Sequence, residues 1–352
     1  MKKAIFILPD LGSGGAERVV SILCAEFIKK GAEVDVIMML GGRIQYDFDK
    51  SIKCHNLNLL QYSFLKRIGV LRCLLKSLLK GNSKTAIFAF HDSCLNYTLA
   101  ASVGLNVKII SSERNNPYRK GTSLWSKIKA TIPYALSSCI VFQTVEARKY
   151  YGLLLEKKCR IIPNPIVCSD YLWRQNISPQ SLISVCRLHE QKNIPMTLDV
   201  IRILKTKIPQ IHLDIYGEGD LKKRIEKMII EKDIKDNVSL CGTTKNVTKV
   251  LSEHSVFIST SDFEGISNSM LEAMSVGMPI ICTNCPIGGA ELMLSDGAGI
   301  LTPVKDVTAF TDELYKILSD RQLAIKLGKT AYEKSLQFSP EKIAESWYSL
   351  ID

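Results

Sequence analysis

The sequence predicts an α/β protein with two doubly wound parallel-sheet domains that face a cleft. Strand-like apolar runs alternate with amphipathic segments of helical length through all 352 residues, as in repeated βαβ units. The alternation stops at a proline-punctuated stretch after Ile162 and then begins again, so it occurs twice. A chain of this length, with 46% hydrophobic residues, typically buries two cores of about 150 to 180 residues each.

The predicted strands are short, and each is followed by a helical segment or a loop. Those of the first domain are expected near residues 3–8, 34–40, 52–59, 85–90, 107–111, 139–143 and 160–163. Those of the second are expected near residues 182–187, 211–216, 237–240, 256–260, 279–282 and 299–302. Helical segments fill residues 307–352, and we place the domain boundary at 165/166. Because ligands of such domains bind at the carboxyl ends of the strands, functional motifs are expected just after strands.

Composition indicates the cellular setting. The chain has 11 cysteines without regular spacing, and its first apolar run ends at Leu8, too early for an export signal. No run approaches the roughly 18 apolar residues of a membrane-spanning helix. The sequence therefore predicts a cytoplasmic protein with free thiols.

Positive charge is concentrated in the first domain. Residues 1–165 hold 25 Lys and Arg against 11 Asp and Glu, a balance of +14, whereas residues 166–352 hold 21 against 24. Eight basic residues and no acid lie between Asp49 and Asp92. Such clusters suit a polyanion, which would be nucleic acid or an anionic membrane surface.

Two basic segments carry apolar or aromatic residues between their cations. Residues 62–80 are typical of a basic amphipathic helix on an anionic membrane, or of a core-packing helix with a basic outer face. Residues 118–129 place Trp125 among cations, which favours the membrane. Aromatic interleaving also suits nucleic acid, but no recognised nucleic-acid module accompanies it. We therefore expect membrane attachment through both segments and no nucleic-acid partner.

Glycines follow the first predicted strand. Gly12, Gly14 and Gly15 let the backbone approach another group just before a helix, or they form only a tight turn. A dinucleotide site would have a glycine where Glu17 stands and an acid at the end of the second strand. The dinucleotide fingerprint therefore fails.

The segment SDFEGISNSMLEAMSVGMP predicts a loop and a helix after a strand. Gly265 loosens the turn, so that Ser267 or Asn268 can cap the helix. Gly277 and Pro279 then end it. The first turn offers unpaired backbone N–H groups and the positive end of the helix dipole, which suit a phosphate.

Charged residues surround this helix start. Glu264 precedes the helix and Glu272 lies inside it, and both are either functional or solvated surface charges. Arg187 and Lys192 share a loop after an earlier strand, where they could grip a diphosphate in place of a metal or simply face solvent. The glycine-containing loops YGEGD and CGTTKN would line the same edge of the sheet.

Metal signatures are weak. Cys282 and Cys285 form one CxxC without a second pair or a histidine partner. Asp47 and Asp49 form a DxD, a motif of a different transferase fold, but they lie in a polar loop and are interpreted as surface charge. His91 ends a strand, where it faces the cleft or makes an ordinary hydrogen bond. We expect no metal site.

Six segments, taken in order, resemble the motifs of family 4 retaining glycosyltransferases of the GT-B fold. They are GSGGAE, SSERNNP, IPNP, SVCRLHEQKN, IYGEGD and FEGISNSMLEAMSVGMPII. The resemblance spans nearly the whole chain and implies two Rossmann-like domains, with the acceptor held mainly by residues 1–165 and a sugar nucleotide by residues 166–337. It also implies that a final helix, about 338–352, packs back on the first domain.

The same resemblance assigns roles to residues of the second domain. Arg187 and Lys192 would bind the donor diphosphate, Glu272 would bind the ribose, and Glu264 would meet the hydroxyls of the donor sugar. Other donor-binding positions would contribute backbone groups or let the donor come close to the backbone. They are Gly14, Gly15, Gly217, Gly242, Gly265, Ile266 and Ser267. Catalysis would rest on Glu264, Arg187 and Lys192, with neither a protein nucleophile nor a metal.

One position departs from the family pattern. Many relatives place a histidine after the fifth strand of the first domain, where this chain has Glu113 and Arg114. With His91, these two residues are the candidates for the acceptor side.

The resemblance implies a hexosyltransferase that moves a hexose or N-acetylhexosamine from a UDP-sugar to a lipid-linked glycan acceptor. The setting would be surface polysaccharide synthesis, such as lipopolysaccharide or capsule, on the inner face of the cell membrane. No cofactor is expected. The alternatives are a sugar-nucleotide epimerase of similar fold and, from another class, a basic nucleic-acid-binding protein.

Overall fold

The computed structural model describes residues 1–12, 14–42, 44, 48–81, 84–114, 117–174, 178–287 and 289–352, apart from the side chains of residues 119, 153 and 154. Asp47 and two residues of the SSERNNP segment lie outside these ranges. The chain divides into unit 1, which is Met1–Pro165 with Pro340–Asp352, and unit 2, which is Ile166–Ser339. The predicted boundaries fall at 165/166 and 337/338.

Unit 1 is a parallel sheet with helices between its strands. The strands are β1 Lys3–Leu8, β2 Glu33–Met38, β3 Lys53–Asn56, β4 Thr85–Phe90, β5 Lys108–Glu113, β6 Cys139–Phe142 and β7 Cys159–Ile161. The helices are α1 Gly15–Lys29, α2 Phe64–Leu78, α3 Asp92–Ala101, α4 Leu124–Ala135 and α5 Val145–Lys149. The strand order is β3-β2-β1-β4-β5-β6-β7.

Unit 2 is a second parallel sheet, of six strands. They are β8 Ser181–Val185, β9 His212–Tyr216, β10 Val238–Gly242, β11 Val256–Ser259, β12 Ile280–Thr283 and β13 Ile300–Thr302. Its helices are α6 Ile194–Lys207, α7 Lys222–Glu231, α8 Val247–Ser252, α9 Asn268–Val276, α10 Ala290–Leu294, α11 Val307–Ser319 and α12 Arg321–Ser335. The strand order is β10-β9-β8-β11-β12-β13.

The predicted α/β class is confirmed, and every predicted strand is present. The largest error is in β3, which ends at Asn56 and not at residue 59. The chain leaves the strand because Asn58 adopts a left-handed conformation, with φ of 43°, before a short 3-10 helix at Leu59–Gln61. The apolar residues after Asn56 therefore belong to a turn.

Each sheet has one topological switch point, where neighbouring strands send their following connections to opposite sides. In unit 1 it lies between β1 and β4, and in unit 2 between β8 and β11. Ligands of open α/β sheets bind outside the carboxyl ends of the strands at such a point. The loops that follow these four strands are therefore the places to look for binding residues.

The last helix of the chain, α13 Pro340–Tyr348, is part of unit 1 and packs against α1. Its Trp347 is fully buried. The indole ring stacks on Phe90 at a centroid distance of 5.4 Å and meets the edge of Phe88 at 5.9 Å. A segment that the 174 residues of unit 2 separate from the rest of unit 1 thus completes its aromatic core.

Replacing this indole should destabilise the protein strongly. Trp347→Ala is expected to lower the free energy of unfolding by about 3–5 kcal/mol, because it leaves a cavity among buried rings. Trp125→Ala makes the same change at a side chain that is 74% exposed, and should shift stability by about 0.5 kcal/mol or less. Urea unfolding followed by circular dichroism measures both, and equal effects would contradict the packing described.

Helix α2 lies within the predicted segment 62–80, and its apolar face packs into the core of unit 1. Leu71 and Leu75 are fully buried there. Arg67 and Arg72 each donate hydrogen bonds to two backbone carbonyl oxygens, those of Tyr62 and Leu60 and those of Ala101 and Val103, respectively. Leu71 and Leu75 are therefore not available to a membrane, whereas Phe64 and Leu65 at the start of α2 are 63% and 78% exposed. Two cations of α2 hold the local structure together.

Helix α4 differs from α2 because it leaves an apolar face exposed. This α4 face consists of Leu124, Trp125, Ile128, Ile132 and Leu136. Leu124, Ile128, Ile132 and Leu136 follow one another at intervals of four, and Trp125 precedes Ile128 by three, which places them along one side of the helix. Five cations and no acid lie between Glu113 and Glu146 in the sequence around it. Within the described ranges, no helix is both long and apolar enough to span a membrane.

Candidate functional site

An ion pair joins the two loops at the switch point of unit 2. Lys192 follows β8, Glu264 follows β11, and the Lys192 Nζ lies 2.5 Å from the Glu264 Oε2. The same carboxylate oxygen accepts a hydrogen bond of 3.0 Å from the Ser261 hydroxyl. Both charged side chains are mostly buried, with 10% of Lys192 and 18% of Glu264 exposed. The structure thus brings together two residues that the sequence separates by 72 positions.

Further hydrogen bonds fix these two loops to each other. Asn193 has a left-handed conformation, with φ of 44°, and its side chain caps α6 at Met196 N. Its amide donates to the Asp262 carboxylate at 2.8 Å, and Asp262 N donates to the Gln191 carbonyl at 3.0 Å. The Lys192 backbone is therefore held from both sides.

Helix α9 begins beside the ion pair and has the predicted limits. Ser267 caps it by accepting a hydrogen bond from Met270 N, and Gly277 ends it in a left-handed conformation with φ of 79°. The prediction of both caps is confirmed. Glu272, in the second turn of α9, is buried. Glu264 and Glu272 therefore occupy different environments, one in a polar loop and one inside the helix.

The loop after β12 supports the Gly265 and Ile266 backbone. Gly289 N donates to the Gly265 carbonyl at 3.0 Å. A Cβ atom on Gly289 would lie only 2.3 Å from the Ile266 Cγ1, so the two loops touch as closely as glycine permits. Ile287 in the supporting loop has φ of 66°, a conformation that β-branched residues rarely adopt. Backbone strain of this kind often accompanies functional sites.

The glycines at 217 and 242 serve loop packing. A Cβ atom on Gly217 would lie 1.8 Å from the Cys186 carbonyl oxygen, and Gly217 N donates to the Gly242 carbonyl at 2.7 Å. Leu188 N donates to the Glu218 carbonyl at 3.0 Å. The loop that carries Arg187, whose side chain is exposed, is thereby fastened to the loops after β9 and β10.

The CxxC cysteines lie near the ion pair, but their thiols are unreactive. Both thiols are buried. Burial raises the pKa of Cys285 to about 11 and that of Cys282 well above its usual value. At neutral pH both remain protonated, and a thiol is a poor nucleophile and a poor metal ligand. Among the residues that the structure describes, no group of three or more His, Cys, Asp or Glu could hold a metal.

In unit 1, Gly14 and Gly15 lie at the start of α1, after β1. A Cβ atom on Gly14 would lie 1.9 Å from a carboxylate oxygen of Glu17. The Glu17 side chain therefore folds back over the first turn, as an acid at the third helical position commonly does. In this arrangement the space beside Gly14 holds a carboxylate of the protein.

Of the acceptor-side candidates of unit 1, His91 follows β4, Glu113 is the last residue of β5 and Arg114 follows it. Glu113 is 2% exposed and accepts hydrogen bonds from the hydroxyl groups of Tyr134 and Tyr151. Arg114 stacks on Phe90, with its guanidinium carbon 4.9 Å from the ring centroid, and donates to the side-chain amide oxygen of Asn164 at 2.6 Å. Burial lowers the pKa of Arg114 to about 9. His91 has φ of 93° and is partly exposed.

Several residues at these sites were not predicted from the sequence. In unit 2 they are Ser261, Asn193 and Asp262, and in unit 1 they are Asp92, Lys120, Tyr134 and Tyr151. Asp92 and Asp262 follow strands closely, so position alone could have indicated them. Lys120 and the two tyrosines stand in helical or loop segments, where the sequence pattern gives no indication.

Known proteins resemble this chain in sequence and in fold. Residues 174–334 match the family model described as glycosyl transferases group 1. The chain is 25% identical to an uncharacterized glycosyltransferase of Haemophilus influenzae, with 100% of both proteins covered. It is 28% identical to the N-acetylgalactosamine-N,N'-diacetylbacillosaminyl-diphospho-undecaprenol 4-alpha-N-acetylgalactosaminyltransferase of Campylobacter jejuni, with 98% of both covered. A solved structure of a TarM mutant of S. aureus, in complex with UDP, fondaparinux and alpha-GlcNAc-glycerol, has a TM-score of 0.81 at 15% identity and covers 100% of both chains.

Proposed function

We propose that this chain, which has the GT-B fold and matches the group 1 glycosyltransferase model over residues 174–334, transfers a hexose or N-acetylhexosamine from a UDP-sugar to a glycan acceptor with retention of anomeric configuration. The observation that carries the proposal is the Lys192–Glu264 ion pair. It lies at the switch point of unit 2, which contains the residues matched by the family model. A cation and a carboxylate side by side suit a ligand that has both a diphosphate and sugar hydroxyls.

In this proposal the donor replaces the ion pair. Lys192 and Arg187 bind the diphosphate, and Glu264 accepts hydrogen bonds from the donor sugar beside the backbone N–H groups of residues 265–267. Glu272 binds the ribose. The bond from the anomeric carbon to the diphosphate oxygen breaks, and a bond to the acceptor oxygen forms on the same face of the sugar. The proton of the acceptor hydroxyl moves to the departing phosphate, so no protein nucleophile is needed.

We also propose that no metal or other cofactor takes part. Two cations on one loop, one of them a planar guanidinium, can neutralise the charge that develops on the leaving diphosphate. Sugar transfer should then proceed at the same rate in EDTA as in buffer with Mg²⁺. Activity that EDTA abolishes and Mg²⁺ restores would contradict this part of the proposal.

The proposed acceptor is a lipid-linked glycan, bound by unit 1 and used in surface polysaccharide synthesis. Two observations support this choice. The relative from Campylobacter jejuni is named for an acceptor joined to undecaprenol through a diphosphate. Residues 1–165 carry a balance of +14, which suits the anionic surface where such lipids reside.

A screen for released UDP tests the reaction. The donors are UDP-glucose, UDP-galactose and their N-acetylamino counterparts, and the acceptors are farnesyl diphosphates that carry one hexose or N-acetylhexosamine. We expect one donor and acceptor pair to release UDP well above the rate without acceptor and to yield a new glycoside. An epimerised UDP-sugar formed without acceptor would indicate an epimerase. Salt-sensitive binding of RNA or DNA without affinity for UDP would contradict the proposal entirely.

We propose that the α4 face holds the protein on the inner face of the cell membrane. Leu124 and Leu136, 72% and 67% exposed, lie among cations. This combination suits the interface of an anionic bilayer. Leu124→Ser with Leu136→Ser should weaken sedimentation with vesicles of equal phosphatidylcholine and phosphatidylglycerol about tenfold or more, since burying one Leu side chain contributes about 1.5–3 kcal/mol.

The control for this experiment makes similar changes in unit 2. Leu172→Ser with Ile230→Ser alters side chains that are 61% and 67% exposed. This pair should leave sedimentation unchanged. Equal sedimentation of the wild-type protein and both variants would contradict membrane attachment through α4.

A further inference from the structure

Asp92 is a half-exposed carboxylate at the switch point of unit 1. It is the first residue of α3, and one residue separates it from the end of β4. The residue before it, His91, has φ of 93° and ψ of 140°, a region that residues other than glycine rarely adopt. The chain therefore accepts backbone strain at the point that sets the position of Asp92. Strain of this kind is a reason to look for a function in the residues it positions.

The Asp92 carboxylate is held from one side by a lysine and a tyrosine. Lys120 Nζ lies 2.7 Å from one carboxylate oxygen and donates a hydrogen bond of 2.9 Å to the other. The Tyr134 hydroxyl also donates to Asp92. An acid in the first turn of a helix commonly only complements the helix dipole. Here the carboxylate has additional partners from two other elements of unit 1.

A buried layer supports these partners. Glu113 lies beneath them and receives hydrogen bonds from Lys120 and from Tyr151, the latter at 2.5 Å. Its carboxylate also lies 3.0 Å from the Tyr134 hydroxyl, whose single proton it shares with Asp92. Burial raises the pKa of both tyrosines, so their hydroxyl groups stay protonated and act as donors at neutral pH. The exposed fractions of the side chains are 2% for Glu113, 20% for Lys120 and 44% for Asp92. Asp92 is thus the most exposed member of the network that it forms with Lys120, Tyr134, Glu113 and Tyr151.

The charge of the network selects the kind of ligand. Two carboxylates and one ammonium give a net charge of −1 near Asp92. A phosphate would be repelled by this charge, whereas a carboxylate accepts hydrogen bonds from neutral hydroxyl groups. No group of three metal-binding side chains occurs here among the described residues. Sugar hydroxyls fit this site better than a phosphate or a metal does.

We propose that Asp92 binds the hydroxyl groups of the sugar acceptor, and that Lys120 and Tyr134 are positioning residues that hold its carboxylate. The assignment rests on the proposed glycosyltransfer and adds an acceptor contact to it. Glu113 then supports the site from below. Asp92, the most exposed residue of the network, is then the acceptor-side residue that contacts the sugar.

Substitution of Asp92 tests the assignment. Asp92→Asn keeps the size of the side chain but weakens its hydrogen bonds to hydroxyl donors and to Lys120. With the farnesyl diphosphate-linked sugar that the wild-type protein uses, we expect the acceptor KM to rise about 10- to 100-fold, as for the loss of a charge-assisted hydrogen bond. The slow hydrolysis of UDP-sugar without acceptor and the Kd for UDP should not change. Tyr134→Phe should raise the acceptor KM less than Asp92→Asn does. It should likewise leave the hydrolysis of UDP-sugar and the Kd for UDP unchanged.

Asp49→Asn is the matched control, because Asp49 is an aspartate of unit 1 whose described partner is the neighbouring Ser51. It should leave every parameter unchanged. An unaltered acceptor KM in Asp92→Asn, or equal losses of transfer and of UDP-sugar hydrolysis, would overturn the assignment while the proposed function stands.

If the wild-type protein transfers sugar to none of these acceptors, the proposed function fails, and sugar binding by Asp92 is tested separately. Saturation-transfer NMR with methyl α-N-acetylgalactosaminide should then give signals with the wild-type protein and none with Asp92→Asn. Equal signals, or none from the wild-type protein, would overturn the assignment.

Discussion

Lys192→Met is expected to lower kcat/KM for the UDP-sugar about 100- to 1,000-fold, as the loss of one preorganised charge at a developing anion does in other enzymes. The Lys192 ammonium lies at the switch point of unit 2, only 10% exposed, in a loop that Asn193 and Asp262 hold in place. Because the Lys192 backbone is held in place before the donor arrives, little reorganisation of the loop should be needed to bring its charge to the diphosphate. Steady-state kinetics of UDP release measures the effect.

Lys232→Met is the matched control for this substitution. Lys232 also belongs to unit 2 and forms an equally short ion pair, 2.5 Å from Asp199, with 22% of its side chain exposed. Loss of either ion pair removes a similar electrostatic contribution to folding, but only Lys192 lies beside Glu264. Equal kinetic losses in the two variants would show that the effect comes from stability, and would contradict the role of Lys192.

Gly217→Ala should be the most damaging glycine substitution in unit 2 for both stability and donor binding. The new Cβ atom would lie 1.8 Å from the Cys186 carbonyl oxygen, and the residue has φ of 147°, which alanine rarely adopts. Backbone strain of about 1–3 kcal/mol and overpacking of about 1–3 kcal/mol together predict that the free energy of unfolding falls by about 2–6 kcal/mol. The Arg187 loop must shift to relieve the contact, so the Kd for UDP should also rise.

Gly297→Ala separates the two causes, because Gly297 has φ of 81° but open space where a Cβ atom would be. It should lower the free energy of unfolding by the backbone strain alone, about 1–3 kcal/mol, and leave the Kd for UDP unchanged. Urea unfolding and calorimetric titration with UDP provide the two readouts. A Gly217→Ala protein as stable as Gly297→Ala, with wild-type affinity for UDP, would contradict the close packing of these loops.

Local features of the fold could be predicted because they depend on neighbouring residues. The limits of α9 follow from a hydroxyl that caps its start and a glycine that ends it, and both are apparent in the segment from Ser267 to Gly277. The strands follow from apolar, β-branched runs of the right length. β3 was predicted too long because the apolar run continues past Asn56, where the left-handed Asn58 turns the chain.

The contacts that build the two sites could not be predicted, because they join distant parts of the chain. The residues were available in the sequence, but Lys192 meets Glu264 across 72 positions, and Glu113 meets Tyr151 across 38. The hydrophobic pattern also failed to separate α2 from α4. Both segments are basic and amphipathic, yet α2 buries Leu71 and Leu75 in the core, whereas the α4 face is exposed. Only the position of each helix against the sheet decides which face is covered.

The anomeric configuration of the product shows whether sugar transfer retains the configuration of the donor. The wild-type protein is incubated with the UDP-sugar and acceptor that release UDP, and proton NMR measures the coupling of the new anomeric proton. Because the sugar of these UDP donors is α-linked, we predict an α-glycoside formed in amounts equal to the UDP released. A β-glycoside, or UDP released without any new glycoside, would contradict retaining transfer from a donor held by Lys192 and Glu264.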